Sequence, residues 1–361
     1  MGEAPANLAN LRAAKDARQP ALYRAIAIWL WSLAGLVFLM VIVGGATRLT
    51  ESGLSITEWK PLTGIVPPLS QTEWLAEFEN YKKIPQYAQL FPDMDLNGFK
   101  FIFFVEWSHR LLGRLIGAAM ALPLIFFWAK GFLPPSFKPK LLGILALGTL
   151  QGFVGWWMVK SGLSERVEVA QERLAIHLLL ASVTFAALVW LAASLMRRVA
   201  QIPERKLPWL RWFAGGMVLL VLLQIGLGGL VAGLRAGHAF NTWPLIDKYF
   251  WPPLDKLALL SPLWRNFLDN ILLVQFQHRM LAYALLVLAL AQALYVSRAA
   301  VGSRAVRRAW ALAGLVAMQA SIGIATLVLA VPLWAGLLHQ AFAMIVLGMA
   351  VAHAQALSQA R

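Results

Sequence analysis

The sequence predicts an all-α integral membrane protein: eight transmembrane helices arranged as two tandem four-helix bundles related by pseudo-two-fold symmetry. Three observations predict it. The 361 residues are 60% hydrophobic and only 14% charged, and several apolar runs exceed the roughly 20 residues that cross a bilayer core of about 30 Å. A soluble chain of this length carries more charge. The basic residues gather in segments that share one side of an eight-span arrangement. Motifs of the first half recur in the same order in the second.

The elements follow in order. A basic leader, 1–24, carries Arg12, Lys15, Arg18 and Arg24. Span one covers 25–46. Its apolar stretch is too long for a signal peptide, and no small-residue cleavage site with a hydrophilic mature start follows, so it is expected to stay. A long loop, 47–100, leads to span two at 101–129, which Lys130, Lys138 and Lys140 follow. Span three covers 139–160. Span four covers 170–195 and is followed by Arg197, Arg198, Arg205 and Lys206. Span five covers 209–232, and a second long loop runs over 233–269. Span six covers 270–296, with Arg298, Arg304, Arg307 and Arg308 behind it. Spans seven and eight cover 308–330 and 332–357. The first half is thus 25–200 and the second 201–361.

By the positive-inside rule the basic side is cytoplasmic, with both termini there. The net charge of +15 is therefore a topology signal, and nucleic acid is excluded as a partner. The loops "TEWKPLTGIVPPL" and "NTWPLIDKYFWPPL" suit the lipid–water interface, where aromatic rings are at home; plain interfacial packing is the alternative. The working surface is expected on the outside. No cysteine is present, which excludes disulfides, thiolate metal sites and thiol nucleophiles.

The duplication is read from five matches. "GGATRLTESGL" aligns with "GGLVAGLRAG", and "EWSHRLLGR" with "QFQHRMLAY", 169 residues later (278 − 109). Gln151 aligns with Gln319, at 168, and His177 with His339, at 162. The paired prolines of the two long loops also correspond. Offsets that drift only through loop lengths mark an internal repeat. Four spans per half insert both halves the same way round, the parallel kind of repeat.

Four histidines, His109, His177, His278 and His339, lie seven or eight residues into spans two, four, six and eight. At about 1.5 Å per residue they form a layer roughly 10–12 Å below the outer helix ends. A single membrane histidine is usually a helix–helix hydrogen-bonding group or part of a polar pathway. Two per repeat, at one depth, suit axial ligation of haem iron. Each is followed four residues later by Gly113, Ala181, Ala282 or Ala343, on the same helix face. That clears room for a porphyrin edge, or simply lets helices approach. Zinc would want its ligands clustered with a bound water or a fourth protein ligand. Arg110 and Arg279 suit haem propionates, with interfacial anchoring as the alternative.

The halves differ at one telling place. Glu106 stands three residues before His109, and Gln275 three before His278. A carboxylate there can move protons; an amide only hydrogen-bonds. The alternative is an i,i+4 ion pair of Glu106 with Arg110.

The stretches "GGATRLTESGLSITEWKPLTGIVPPL", "EWSHRLLGRLIG", "QFQHRMLAY" and "LLHQAFA" resemble the heme A synthase family, over about Ala25 to Ala356. Lacking loop cysteines, the chain is similar to its cysteine-free mitochondrial and alphaproteobacterial members. The resemblance implies an oxidoreductase of the bacterial inner membrane. Its reaction oxidises the methyl group at ring position eight of haem O to a formyl group through two hydroxylations and loss of water. The product, haem A, serves cytochrome oxidase. It implies a haem b cofactor on His278 and His339, with Arg279 beside it. The haem O substrate falls to His109 and His177, with Arg110, and Glu106 is the catalytic candidate. Haem O synthase, oxidase assembly factors, an electron donor and membrane lipid are the implied partners, and a homo-oligomer is compatible. The rivals are a di-haem b-type cytochrome taking electrons from quinol, and a proton-coupled transporter with a histidine relay.

Overall fold

The computed structural model describes residues 4–61, 63–200, 208–299 and 303–358. Arg205 and Lys206, and the expected boundary at 201, lie outside the described residues. Helix α1 (Ala4–Leu49) is followed by α2 (Gln71–Tyr81) and α3 (Pro85–Leu90). Next come α4 (Leu96–Ala129), α5 (Lys138–Lys160), α6 (Gln171–Ala200) and α7 (Pro208–Gly233). The short α8 (Ala236–Ala239), α9 (Leu254–Leu257) and α10 (Asn266–Asp269) precede three long helices. These are α11 (Ile271–Ala299), α12 (Arg304–Val328) and α13 (Leu333–Ser358). Eight of the helices are long and apolar enough to cross a membrane, in the expected order, and no strand occurs among the described residues.

Two boundaries differ from expectation. The leader is helical from Ala4 and continuous with span one; its Ala, Leu, Lys and Arg content favours helix without any packing signal. Helix α4 begins five residues early, at Leu96, because the Asp95 side chain caps it, accepting from Gly98 N at 2.7 Å. A polar stretch that reads as loop is a helix start.

Packing runs in two rings. α1 lies on α4, α4 on α5, α5 on α6, and α6 returns to α1; α7, α11, α12 and α13 close a second ring in the same order. The rings meet through α6 and α7, α6 and α13, and α1 and α13. This contact order fits a duplicated four-helix unit. Lipid is as apolar as leucine, so close van der Waals packing holds such helices together. Leu30, Leu195, Leu210, Met217 and Leu347 are buried in the shared core. Pro123 inside α4 cannot donate to the carbonyl of Ala119. The indole of Trp29 in α1 fills that gap at 2.8 Å, so no acceptor is left bare in the apolar layer.

The two long loops share one side of the molecule, and they differ. In the first, a capping box of Ser70 and Glu73 starts α2. Trp74, Phe78, Tyr81, Phe99 and Phe103 then form an aromatic core on the extra turns of α4. Burial pushes the Tyr81 hydroxyl above the usual phenol range, helped by Glu51 and Glu106, and it donates to Gln86 Oε1 at 3.0 Å. The second loop leaves Phe250, Trp251, Leu254 and Trp264 exposed, as an interfacial segment would.

On the loop side an ionic cluster joins the rings. Arg48 at the end of α1 pairs with Glu168 at 2.6 Å and donates to the carbonyls of Ala232 and Gly233. Arg235 pairs with Glu168 and, at 2.5 Å, with Glu51. Glu51 and Arg235 both have left-handed backbones, φ 56° and 50°, which non-glycine residues adopt only when held there. Glu168→Ala leaves two guanidinium groups short of their shared acceptor. The expected cost is about 1–3 kcal/mol, read as a lower melting temperature; an unchanged melting temperature would show that the cluster is ornamental.

Candidate functional site

The stretch "EWSHRLLGR" lies on α4, facing the first loop. Glu106 is 2% exposed. Its Oε2 accepts from the Ser55 hydroxyl at 2.7 Å and from Ile56 N at 2.8 Å. Its Oε1 accepts from Arg110 Nη2 at 2.7 Å and Nε at 3.0 Å. Arg110 also donates to the carbonyls of Ile56 and Glu58. One turn on, Arg114 donates to those of Lys60 and Pro61, both at 2.8 Å. Three residues at i,i+4 spacing thus stitch the segment 55–61 to the helix. This is the ion-pair alternative, with a loop-anchoring part that the sequence did not disclose.

The second half repeats the stitch with opposite polarity. Gln275, also 2% exposed, donates from Nε2 to the carbonyls of Ala236 and Phe240, both at 2.8 Å. Its Oε1 accepts from Arg279 Nη2 at 2.8 Å, and Arg279 reaches the carbonyls of Thr242 and Leu245. At the place of Arg114 stands Tyr283, whose hydroxyl accepts from Trp243 Nε1 at 3.0 Å. The loop offers N–H and O–H to Glu106, and carbonyls to Gln275. Each residue type therefore also matches the groups its loop presents. Both arginines bond loop carbonyls and their i−4 partner, so a propionate role has to share the guanidinium with them; of their nitrogens, Arg279 Nε alone is buried without a partner among the described residues.

The four histidines fall into two sets. His109 on α4 and His177 on α6 stand in the first helix ring, and His278 on α11 and His339 on α13 in the second. Their depths in their own helices differ. His109 stands thirteen residues after the start of α4 (109 − 96), against six, seven and six for His177, His278 and His339. The expected seven or eight is wrong for His109, because the cap at Asp95 adds turns beyond the layer. His353 is buried near the far end of α13, 3.4 Å from Gln292 Nε2, fourteen residues along from His339 (353 − 339).

Each imidazole rests on a glycine of the preceding long helix. A Cβ on Gly44 would lie 3.3 Å from His109 Nε2, and one on Gly228 3.2 Å from His278 Cε1. On Gly155 and Gly323 the distances to Cε1 of His177 and His339 would be 2.9 and 2.7 Å. These are cradles that any side chain would fill. Glutamines complete them. Gln151, Gln224 and Gln319 each donate from Nε2 to the backbone carbonyl of the facing histidine at 3.0 Å. The small residues at i+4 have a reason here. A helical Cβ leans over the preceding turn, so alanine or glycine leaves that carbonyl open to a side chain from the neighbouring helix. The sequence offered a signal that was missed: glutamine and glycine four residues apart, in three of the spans that precede a histidine span.

The arrangement fits a tetrapyrrole. Each helix ring holds two histidines whose imidazoles lie against a glycine of the preceding helix, and two imidazoles per ring are the donor set for axial ligation of a flat macrocycle. The Nδ1 of His278 and the Oε1 of Gln151, Gln224 and Gln319 are buried without protein partners among the described residues, leaving polar capacity at both pairs. Among the described residues no group of three or more His, Asp or Glu is placed to hold a metal ion. Gly323→Ala would drive a methyl into His339 and turn its ring. With His339 as a haem ligand, the expected result is a haem affinity lower by about 10–100-fold, read as pigment per protein after purification; a wild-type spectrum and yield would contradict the cradle.

Comparison with known proteins agrees with the geometry. The chain matches the cytochrome oxidase assembly protein family over residues 27–351. It is 70% identical over 338 residues, 94% of both chains, to the heme A synthase of Beijerinckia indica subsp. indica. To that of Methylobacterium sp. (strain 4-46) it is 56% identical over 332 residues, 92% of this chain and 91% of the relative. To that of Rhodopseudomonas palustris (strain BisA53) it is 54% identical over 329 residues, 91% and 90%.

Proposed function

The chain belongs to the cytochrome oxidase assembly protein family, and from that premise we propose that it is a heme A synthase whose two histidine pairs divide the work. It is an oxidoreductase that converts haem O to haem A. His109 and His177 hold the substrate; His278 and His339 hold haem b. The observation that supports this reading is the placement of two histidines in each helix ring, with a carboxylate three residues before His109 and an amide three before His278.

Haem b, when bound, supplies one-electron chemistry for an oxidation that removes electrons from a methyl carbon. The protein's own groups do the rest. Gly44 and Gly155 set the first two imidazoles upright, and Gln151 fixes His177. Glu106 sits one turn from His109, and its carboxylate is the proton acceptor of this site. Ser55, donating to it at 2.7 Å, helps hold the carboxylate in its charged, proton-accepting form. Gln275 has no such capacity, which fits a half that stores and passes electrons. Arg110 and Arg279 hold the loops over the two sites. Nothing in the comparisons supports the di-haem electron carrier or the transporter.

The basic segments support a topology with both termini on the cytoplasmic side of the bacterial inner membrane and the haem sites toward the periplasm. Haem O arrives from haem O synthase, and haem A passes to oxidase assembly factors. The test is conversion. Cells making haem O and this protein should yield haem A, its hydroxylated precursor and haem B from the purified protein. Haem B alone, with no conversion, would refute the reading.

A further inference from the structure

The fastening of the four histidines is uneven. Gln151, Gln224 and Gln319 hold His177, His278 and His339 by the carbonyl at 3.0 Å. The ring nitrogens, also 3.2 or 3.3 Å from each amide nitrogen, cannot accept an N–H once one holds iron and the other a proton, so the carbonyl bond is the fastening. Each glutamine stands four residues before the glycine on which that imidazole rests: 151 and 155, 224 and 228, 319 and 323. His109 rests on Gly44, and four residues before Gly44 stands Met40. Met40 answers to Gln224 in the duplicated pattern, since 224 − 40 and 228 − 44 are both 184. It also occupies the same place. Its Cε would lie 3.3 Å from a Cβ on Gly113, one turn along from His109.

A thioether has no N–H to give. We propose that Met40 makes His109 the loosely held member of the four, so that the first site releases its tetrapyrrole while the second keeps its own. This rests on the four histidines being haem ligands. Partners that orient a ligating imidazole contribute about 10–100-fold to metal affinity. The chemistry demands such a difference: one tetrapyrrole is converted and must be exchanged at each turnover, while the electron-carrying one must stay. Met40 is thus a positioning residue by omission, and Gln224 its counterpart by presence.

Methionine and glutamine are close in length, so exchanging them tests the donor with little change of volume. The holoprotein is mixed with excess apomyoglobin, and transfer of each tetrapyrrole is followed by its absorption spectrum. Met40→Gln should slow release from the first site by about tenfold or more, and Gln224→Met should speed release of haem b by a similar factor. Met40→Leu, which adds no donor, should not slow release. Unchanged rates in both exchange variants, at unchanged melting temperature, would overturn the proposal. His278→Ala separates the two levels. If that variant keeps its haem, the ligand assignment itself falls. If it loses haem while Gln224→Met releases at the normal rate, only the uneven fastening falls.

Discussion

Glu106→Gln should abolish formyl production, by about 10²–10⁴-fold, the usual worth of a positioned proton-transfer group, while the b-type haem spectrum persists. The geometry adds a second consequence. All four hydrogen bonds at this carboxylate arrive from donors: Ser55, Ile56 N and two from Arg110. A glutamine must turn its NH₂ toward Ile56 N–H or toward the guanidinium, so one pair of donors is left facing. The segment 55–61 should therefore loosen, which backbone hydrogen exchange would detect. Arg114→Gln gives the contrast. It loosens the same segment, because Arg114 carries the Lys60 and Pro61 carbonyls, but leaves the carboxylate intact. If proton acceptance is the main role of Glu106, Arg114→Gln keeps most of the activity that Glu106→Gln loses. Equal losses in both would reduce Glu106 to a loop anchor, and normal product from Glu106→Gln would dismiss it altogether.

His278→Ala and His339→Ala should each lose the low-spin b-type spectrum. Each imidazole rests on a glycine with no room for a substitute. No third His, Asp or Glu is grouped with the pair among the described residues. His353 is buried beside Gln292, four turns away along α13. A retained low-spin spectrum in either variant would put the cofactor elsewhere. The same substitutions should leave Gln275 and Arg279 holding the second loop, since their partners are Ala236, Phe240, Thr242 and Leu245, so the protein should still fold.

Much of this was legible in the sequence because the membrane simplifies the code. Apolar length marks a span, so all eight were found to within a few residues. Where a cap decided the boundary, as at Asp95, the polar letters misled: the same residue type that breaks a helix also starts one. The four span histidines and the contrast of Glu106 with Gln275 could be read from spacing and repetition alone, but the depth of His109 in its helix could not, because the Asp95 cap lengthens α4. The partners could not. That Arg110 spends its donors on Ile56 and Glu58, that Trp29 fills the gap behind Pro123, and that Gln224 reaches the carbonyl of His278 are contacts between distant segments, which periodicity does not encode. The small residues after each histidine were visible, but their purpose depends on which neighbouring side chain arrives.

The central claim is the division of labour between two histidine pairs, each within one half. It is tested most directly by identifying which tetrapyrrole each of four single variants loses when co-produced with a source of haem O. His109→Ala and His177→Ala should keep haem B and lose haem O and haem A; His278→Ala and His339→Ala should lose haem B. If His109→Ala and His278→Ala instead lost the same haem, the pairs would run across the halves and the account would fail.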